Sequence, residues 1–199
     1  MKTVFLSASI PDPKRDRQYF ETADFLAIGD AVHALCSVVL PQDRLVFGGH
    51  PAIIPIVQRV AAMLDRHMSV SLYLSAFFKD QFPAEYLHFK NLVLTEPGDD
   101  RAHSIELMRK KMLSIRFDAG VFIGGMEGVI DEWKMLREQQ DAAAAWPIPT
   151  TGAAARIIFE NEALSGDRDR RFDEELRSDR VYAPLFRRLL GLAIPEPPR

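Results

Sequence analysis

The sequence predicts an α/β fold of the Rossmann-like, doubly wound type: a mainly parallel sheet of about six strands with helices on both faces. Three observations lead to this prediction. Short apolar runs alternate with longer segments whose apolar residues recur at helical spacing. The short runs are apolar at consecutive positions, which is typical of strands that are covered on both sides. Two of the runs end in a glycine pair, Gly48-Gly49 and Gly124-Gly125.

The predicted strands are the apolar runs that turn residues bound on either side. They cover Thr3–Ser9, Arg44–Phe47, Val70–Leu74, Asn91–Thr95, Ala119–Ile123 and Trp146–Pro149. In a sheet of this type ligands bind outside the carboxyl ends of the strands. We therefore look for a site in the loops that follow these runs.

The predicted helices connect these strands in order. They cover Tyr19–Leu40, Ala52–His67, a segment that ends near Arg116, Val129–Gln140 and Ala153–Leu164. Pro55 indicates that the second helix begins later than Ala52 or is irregular. Asp99 or Asp100 can cap the third helix. The aromatic segment Ser75–Glu85 is expected to be partly helical.

The C-terminal part of the chain has a different character. Residues 1–164 are predicted to form one Rossmann-like domain, and residues 165–199 a charged linker with a short helix and tail. This C-terminal part begins with the charged stretch Ser165–Arg180, which we interpret as a solvated linker and helix surface. It continues with a short amphipathic helix over Val181–Leu192, and its last six residues, IPEPPR, are expected to be frayed.

The composition excludes several classes of function. The formal net charge of the 199 residues is -3, so a broad electrostatic interaction with nucleic acid is not expected. Cys36 is the single cysteine, which excludes an intramolecular disulfide and most zinc sites. The histidines have no metal-ligand spacing, so no metal is expected. We see no signal peptide and no apolar run near ~20 residues, so we expect a cytoplasmic protein without membrane contact.

Each glycine pair is expected to form a turn between a buried strand and a helix. Glycine adopts positive φ at little cost and allows a ligand to approach the main chain. A helix N-terminus presents N–H groups without acceptors and a partial positive charge, which favour a phosphate. Two such turns at one edge of a sheet indicate a shared pocket for a nucleotide-like anion. The alternative is that the glycines serve only the packing of helix against sheet.

Three segments resemble the SLOG superfamily, which is named after the SMF/DprA and LOG proteins. They are LVFGGHPAIIPIVQRVA (Leu45–Ala61), MRKKM (Met108–Met112) and FIGGMEGVIDE (Phe122–Glu132). The second is similar to the LOG element R-K-x-x-M, and the third to P-G-G-x-G-T-x-x-E. With the first strand they span about Thr3 to Leu164. The resemblance implies a Rossmann-like domain that binds a nucleotide or an NAD-derived ligand.

The third segment departs from the LOG pattern. Ile123 stands in place of the proline, and Glu127-Gly128-Val129 replaces the G-T step, so the threonine hydroxyl is missing. The acid of the pattern corresponds either to Asp131 without a gap or to Glu132 with one inserted residue. The segment WPIPTTGAAARI (Trp146–Ile157) is more similar to SLOG domains that accompany TIR and other effector domains in bacterial antiphage systems. Those domains are thought to bind nucleotide signals such as cyclic ADP-ribose isomers.

The expected ligand site combines the loops at the strand ends with one cation. Arg109 matches the arginine of the family, and its guanidinium suits a phosphate. Met126 can contact a base or ribose, and Glu127 can accept hydrogen bonds from ribose hydroxyls. The full set of expected ligand-binding residues is Ser7, Ser9, Gly48, Gly49, His50, Arg109, Gly124, Gly125, Met126, Glu127, Gly128, Thr150, Thr151 and Gly152. Lys110 and Lys111 are expected to be solvated.

The leading functional hypothesis is a nucleotide sensor without a bound cofactor. Its ligand would change association with an effector, such as a TIR-type protein, or with further copies of this chain, since a homo-oligomer is expected. The alternative is a LOG-like phosphoribohydrolase, an N-glycosidase that releases a base from a nucleoside monophosphate. In that case Arg109 would hold the phosphate, and Glu132 or Glu127 would stabilise an oxocarbenium-like state. A single-stranded DNA binder is disfavoured by the charge.

Overall fold

The computed structural model describes residues 1–83, 86, 89–165 and 170–193. Within these ranges it contains a six-stranded sheet in which every neighbouring pair of strands is parallel. The strands are β1 (Thr3–Ser9), β2 (Arg44–Gly48), β3 (Val70–Ser75), β4 (Asn91–Thr95), β5 (Ala119–Gly124) and β6 (Ala144–Ile148). The predicted fold class and all six strands are confirmed. The sixth strand begins two residues earlier and ends one residue earlier than the sequence predicts.

Eight α-helices surround the sheet in the described ranges. They are α1 (Arg17–Thr22), α2 (Phe25–Val39), α3 (Ile54–Met63), α4 (Arg101–Leu113), α5 (Glu127–Gln139), α6 (Ala153–Ser165), α7 (Asp173–Ser178) and α8 (Tyr182–Leu190). Short 3-10 turns at His67–Ser69, Ala76–Gln81, Pro149–Thr151 and Arg170–Phe172 complete the order. None of the described helices is long and apolar enough to span a membrane.

The predicted helix Tyr19–Leu40 is two helices, so its continuity was predicted wrongly. The break lies at Ala23 and Asp24, where the backbone is extended. The Asp24 carboxylate accepts a hydrogen bond from the N–H of Ala27 and so caps α2. The Asp24 N–H in turn donates to the carbonyl of Thr151, across the sheet edge. A tertiary contact therefore interrupts a pattern that is helical by spacing alone.

The strand order is β4-β3-β2-β1-β5-β6. The chain builds outward from β1 to β4, returns to the other side of β1, and continues to β5 and β6. Strand order thus reverses between β1 and β5, and in open α/β sheets this is where ligands bind. The register places Ser9 beside Gly124 at the carboxyl ends of the two strands.

Alternate residues of the strands support two hydrophobic layers, one on each face of the sheet. On β1, Val4 and Leu6 face the layer that contains α2, α3 and α8, whereas Phe5 faces the layer beneath α4 and α5. The buried face of α8 includes Leu185 and Phe186, and it packs against α2. The amphipathic C-terminal helix is therefore part of the main core. The predicted frayed tail, residues 194–199, lies outside the described residues, as does the stretch 166–169.

Candidate ligand site at the carboxyl ends of β1 and β5

The turn after β5 is built around two residues with positive φ. Gly124 has φ 54° and Gly125 has φ 83°. A Cβ at Gly124 would lie 2.5 Å from the Ile28 side chain, and one at Gly125 would overlap Val129. Both the backbone conformation and the close packing therefore require glycine. The turn directs the start of α5 toward the end of β1.

The N-terminus of α5 is open. Met126 makes no side-chain capping hydrogen bond, whereas α2 and α4 are capped by Asp24 and Asp100. In the described part of the chain, no acceptor binds the backbone N–H groups from residue 125 to residue 128. These donors and the positive end of the helix dipole together favour a bound anion.

Arg109 lies beside this helix start. Its Nε donates to Glu132 Oε1 at 3.2 Å and its Nη1 to Asp131 Oδ2 at 3.0 Å. The third nitrogen, Nη2, has no acceptor among the described residues and lies so close to Gly128 that a Cβ there would be 2.5 Å away. Gly128 therefore makes room for the guanidinium. The arginine keeps one unpaired edge at the open end of α5.

Glu132 is the acid that the structure brings into this site. Its Oε2 accepts a hydrogen bond from Ser7 Oγ at 2.6 Å, and its side chain is 13% exposed. Asp131 is 51% exposed and points to the outer side of Arg109. Burial raises the pKa of Glu132, although Arg109 and the Ser7 hydroxyl oppose that shift. Of the two acids that the sequence left open, Glu132 has the buried position.

Met126 and Glu127 connect α5 to the loop that follows β1. Met126 is buried in the core, and its Sδ accepts a hydrogen bond from the Asp12 N–H at 3.4 Å. Glu127 forms an ion pair with Arg15 at 3.2 Å, and both side chains are about half exposed. The β1–α1 loop is thus fastened to the start of α5. A ligand there would meet Glu127 and Arg15 as a neutralised pair.

The first glycine pair, after β2, has a different environment. The N–H of Gly49 donates to the Tyr73 carbonyl, and the next N–H groups of the turn donate to His50. A Cβ at Gly49 would overlap the Leu74 side chain. Burial, and then the charge of Arg15, lower the pKa of His50. Gly49 and His50 therefore have internal partners, and their contact with a ligand stays a prediction.

The segment after β6 is also tied internally. The Thr151 hydroxyl is buried, accepts from the Gly124 N–H at 2.9 Å and donates to the Ile148 carbonyl at 2.6 Å. The Thr150 hydroxyl lies 3.2 Å from the Tyr182 hydroxyl. Gly152 has φ 73°, and a Cβ there would overlap the Thr22 carbonyl. Thr151 supports the Gly124 turn from behind.

Two residues near the site were not predicted from the sequence. Arg15 reaches Glu127 from the β1–α1 loop and is not among the expected ligand-binding residues. Tyr19 is 8% exposed, and its pKa is raised by burial and by the carboxylates of Glu127, Asp16 and Asp131. The available signal was the position of Lys14-Arg15 in the loop that follows β1.

A separate concave surface lies away from the candidate site. A cavity of about 620 Å³ opens at the opposite edge, where β5 and β6 begin. Its lining includes Lys2, Asp118, Arg137, Trp146 and Arg188. None of the predicted ligand residues lines it. The described residues contain no cluster of three or more side chains suited to a metal.

The parallel strand order and the switch point between β1 and β5 define a Rossmann-like α/β protein. The model of the SLOG cluster3 family matches residues 18–190. The chain therefore belongs to this family, and the predicted membership of the SLOG superfamily is confirmed. The comparisons with curated proteins and with solved structures find no match.

Proposed function

We propose that the protein binds a nucleotide-derived ligand at the carboxyl ends of β1 and β5. The observation that supports this most directly is the unpaired Nη2 edge of Arg109 beside the uncapped start of α5. Both features supply donors to the same point, and a phosphate uses several donors at once. The membership of a SLOG family is consistent with a nucleotide-related role.

In this proposal the ligand's sugar lies next to the phosphate, over Glu132. The Glu132 carboxylate has one partner on each oxygen and retains lone pairs for ligand hydroxyls. Recognition of ribose by an acid recurs in nucleotide-binding folds of this topology. A nucleotide thus matches both halves of the site: phosphate at α5 and ribose hydroxyls at Glu132.

The proposed output is signalling. A phosphate at α5 would compete with Glu127 for Arg15, and this exposed ion pair fastens the β1–α1 loop. A ligand shifts such an equilibrium only by its different affinity for the two states. We propose that the loop state is detected by an effector of the TIR type or by another copy of the chain, in an antiphage or related nucleotide-signalling system.

A second candidate function is hydrolysis of an N-glycosidic bond. Glu132 favours it, because a buried carboxylate next to an arginine can stabilise an oxocarbenium-like state or activate water. This is the LOG-like phosphoribohydrolase hypothesis with Arg109 and Glu132 in the active roles. The missing threonine of the G-T step leaves binding as the leading proposal.

The test is a thermal-shift screen with AMP, ADP-ribose, cyclic ADP-ribose isomers and NAD, with every hit assayed for base release. A ligand at about 100 times its Kd stabilises the protein by about 2.7 kcal/mol. We expect at least one hit, lost in Arg109→Ala and kept in Lys111→Ala, an exposed cation on the same helix. Stabilisation with base release would select the hydrolase. If no ligand of the panel raises the melting temperature, or if both variants lose the thermal shift equally, the proposed site is contradicted.

A further inference from the structure

Ser7 was expected to touch the ligand, but its surroundings indicate another role. It lies on β1, is 1% exposed, and its hydroxyl donates to Glu132 Oε2 at 2.6 Å. A hydroxyl has one proton to donate, so this bond uses the donor of Ser7. Ser9, two residues further on the same strand, makes no such bond to Glu132.

Glu132 is held from two elements at once. Arg109 on α4 binds Oε1 and Ser7 on β1 binds Oε2, so the plane of the carboxylate is fixed by one bond on each oxygen. At 2.6 Å the contact between Ser7 Oγ and Glu132 Oε2 is a direct hydrogen bond of ordinary O–H···O length. A carboxyl in this position has few rotamers left, which lowers the entropic cost of binding a ligand hydroxyl.

We propose that Ser7 is a positioning residue: its hydroxyl holds the Glu132 carboxyl group in one orientation, toward the ligand's sugar. This inference rests on the proposed function for the role of Glu132, but the positioning itself is a property of the free protein. The charged groups that face Glu132 are Arg109 from α4 and Asp131 from α5, and β1 contributes only the hydroxyl of Ser7. Removing that hydroxyl leaves the two charges in place.

The first measurement needs no ligand. The carboxyl ¹³C signal of Glu132, assigned with Glu132→Gln, is titrated in the wild type, Ser7→Ala and Ser9→Ala. A hydrogen bond to the charged form favours that form, so its loss disfavours ionisation. We expect the midpoint of Glu132 to move upward in Ser7→Ala and to stay unchanged in Ser9→Ala. An unmoved midpoint in Ser7→Ala, or an equal shift in both variants, would overturn the proposal.

The second measurement uses AMP as the probe. We expect Ser7→Ala to bind AMP about tenfold more weakly, as befits the loss of a hydrogen bond to a charged group. In Ser7→Ala, the pH below which the affinity for AMP falls should also move upward. Ser7→Thr keeps the hydroxyl and should restore both the affinity and its pH dependence. A weaker affinity with an unchanged pH profile would indicate a packing effect and overturn the positioning role. If the wild type does not bind AMP although the titration shifts, the proposed ligand fails while the positioning stands.

Discussion

At the scale of single residues, a glycine in this fold is needed either for a positive φ or for the space that a side chain would fill. Gly128 is of the second kind. Gly124 and Gly125 are required by positive φ, whereas Gly128 has an ordinary helical position in the first turn of α5. Its missing side chain is needed by Arg109 alone, whose Nη2 occupies the space of a Cβ. Gly128 can therefore be changed without strain in the backbone.

We expect Gly128→Ala to weaken AMP binding about tenfold, because the Cβ displaces the guanidinium that is proposed to meet the phosphate. Stability should change little, because the better helix propensity of alanine, roughly 0.5–1 kcal/mol, offsets the weakening of the Arg109 ion pairs with Asp131 and Glu132. Titration calorimetry and thermal unfolding measure the two effects on the same samples.

The matched control is Gly29→Ala in α2. A Cβ at Gly29 meets nothing within 4 Å, so this variant carries the helix-propensity gain without a new contact. It should bind AMP as the wild type does. If both variants bind normally, the approach of Arg109 to Gly128 has no part in ligand binding.

At the scale of elements, the strands were predictable because each is a short apolar run between turn residues. Thr3–Ser9 and Asn91–Thr95 have the bounds that the sequence predicts. The break between α1 and α2 was not predictable, since it depends on the contact of Asp24 with Thr151, which is distant in the chain. Local spacing determines the type of an element better than its ends.

In the candidate site, too, the local features could be predicted from the sequence and the contacts between distant residues could not. The Gly124-Gly125 turn follows from the local sequence, because strand, glycine pair and helix are adjacent. The environment of Gly48-Gly49 does not, since Leu74 closes over it from β3. The pairing of Ser7 with Glu132 joins residues 125 positions apart, so only the fold could bring them together.

Substitutions in and beside α8 measure how much this helix contributes to the stability of the core. Phe186 is fully buried between α8 and α2, and its truncation leaves a cavity. We expect Phe186→Ala to lower the free energy of unfolding by about 3–5 kcal/mol in urea titrations. Val181→Ala, at a 65% exposed position just before the helix, should change it by less than about 0.5 kcal/mol. A loss below about 1 kcal/mol for Phe186→Ala would mean that α8 is an appendage of the domain.

At the scale of the whole molecule, the burial of the Glu132 carboxyl group in the candidate site lowers the stability of the fold. The doubly covered sheet leaves polar side chains at its carboxyl edge, and there the Glu132 carboxyl group is largely removed from water. Burial raises its pKa above the ordinary value of 4.5. The folded protein therefore holds the Glu132 proton more tightly than the unfolded chain does.

The difference in the Glu132 pKa between the folded and the unfolded chain determines how the free energy of unfolding changes with pH. As the pH rises from 4.5 through the folded-state pKa of Glu132, the unfolded chain releases the proton first, so the free energy of unfolding falls. Glu132→Gln has no such proton, so its stability relative to the wild type should rise over this window and level off above it. Urea unfolding of both proteins from about pH 4 to about pH 8 measures this difference. The oxygen of the Gln amide can still accept from Arg109 while its NH2 group donates to the Ser7 hydroxyl, which limits other changes. A difference that is flat, or that falls with pH, would mean that burial does not dominate the ionisation of Glu132. A rising difference together with lost AMP binding would mean that the charge is kept for its ligand at a cost in stability.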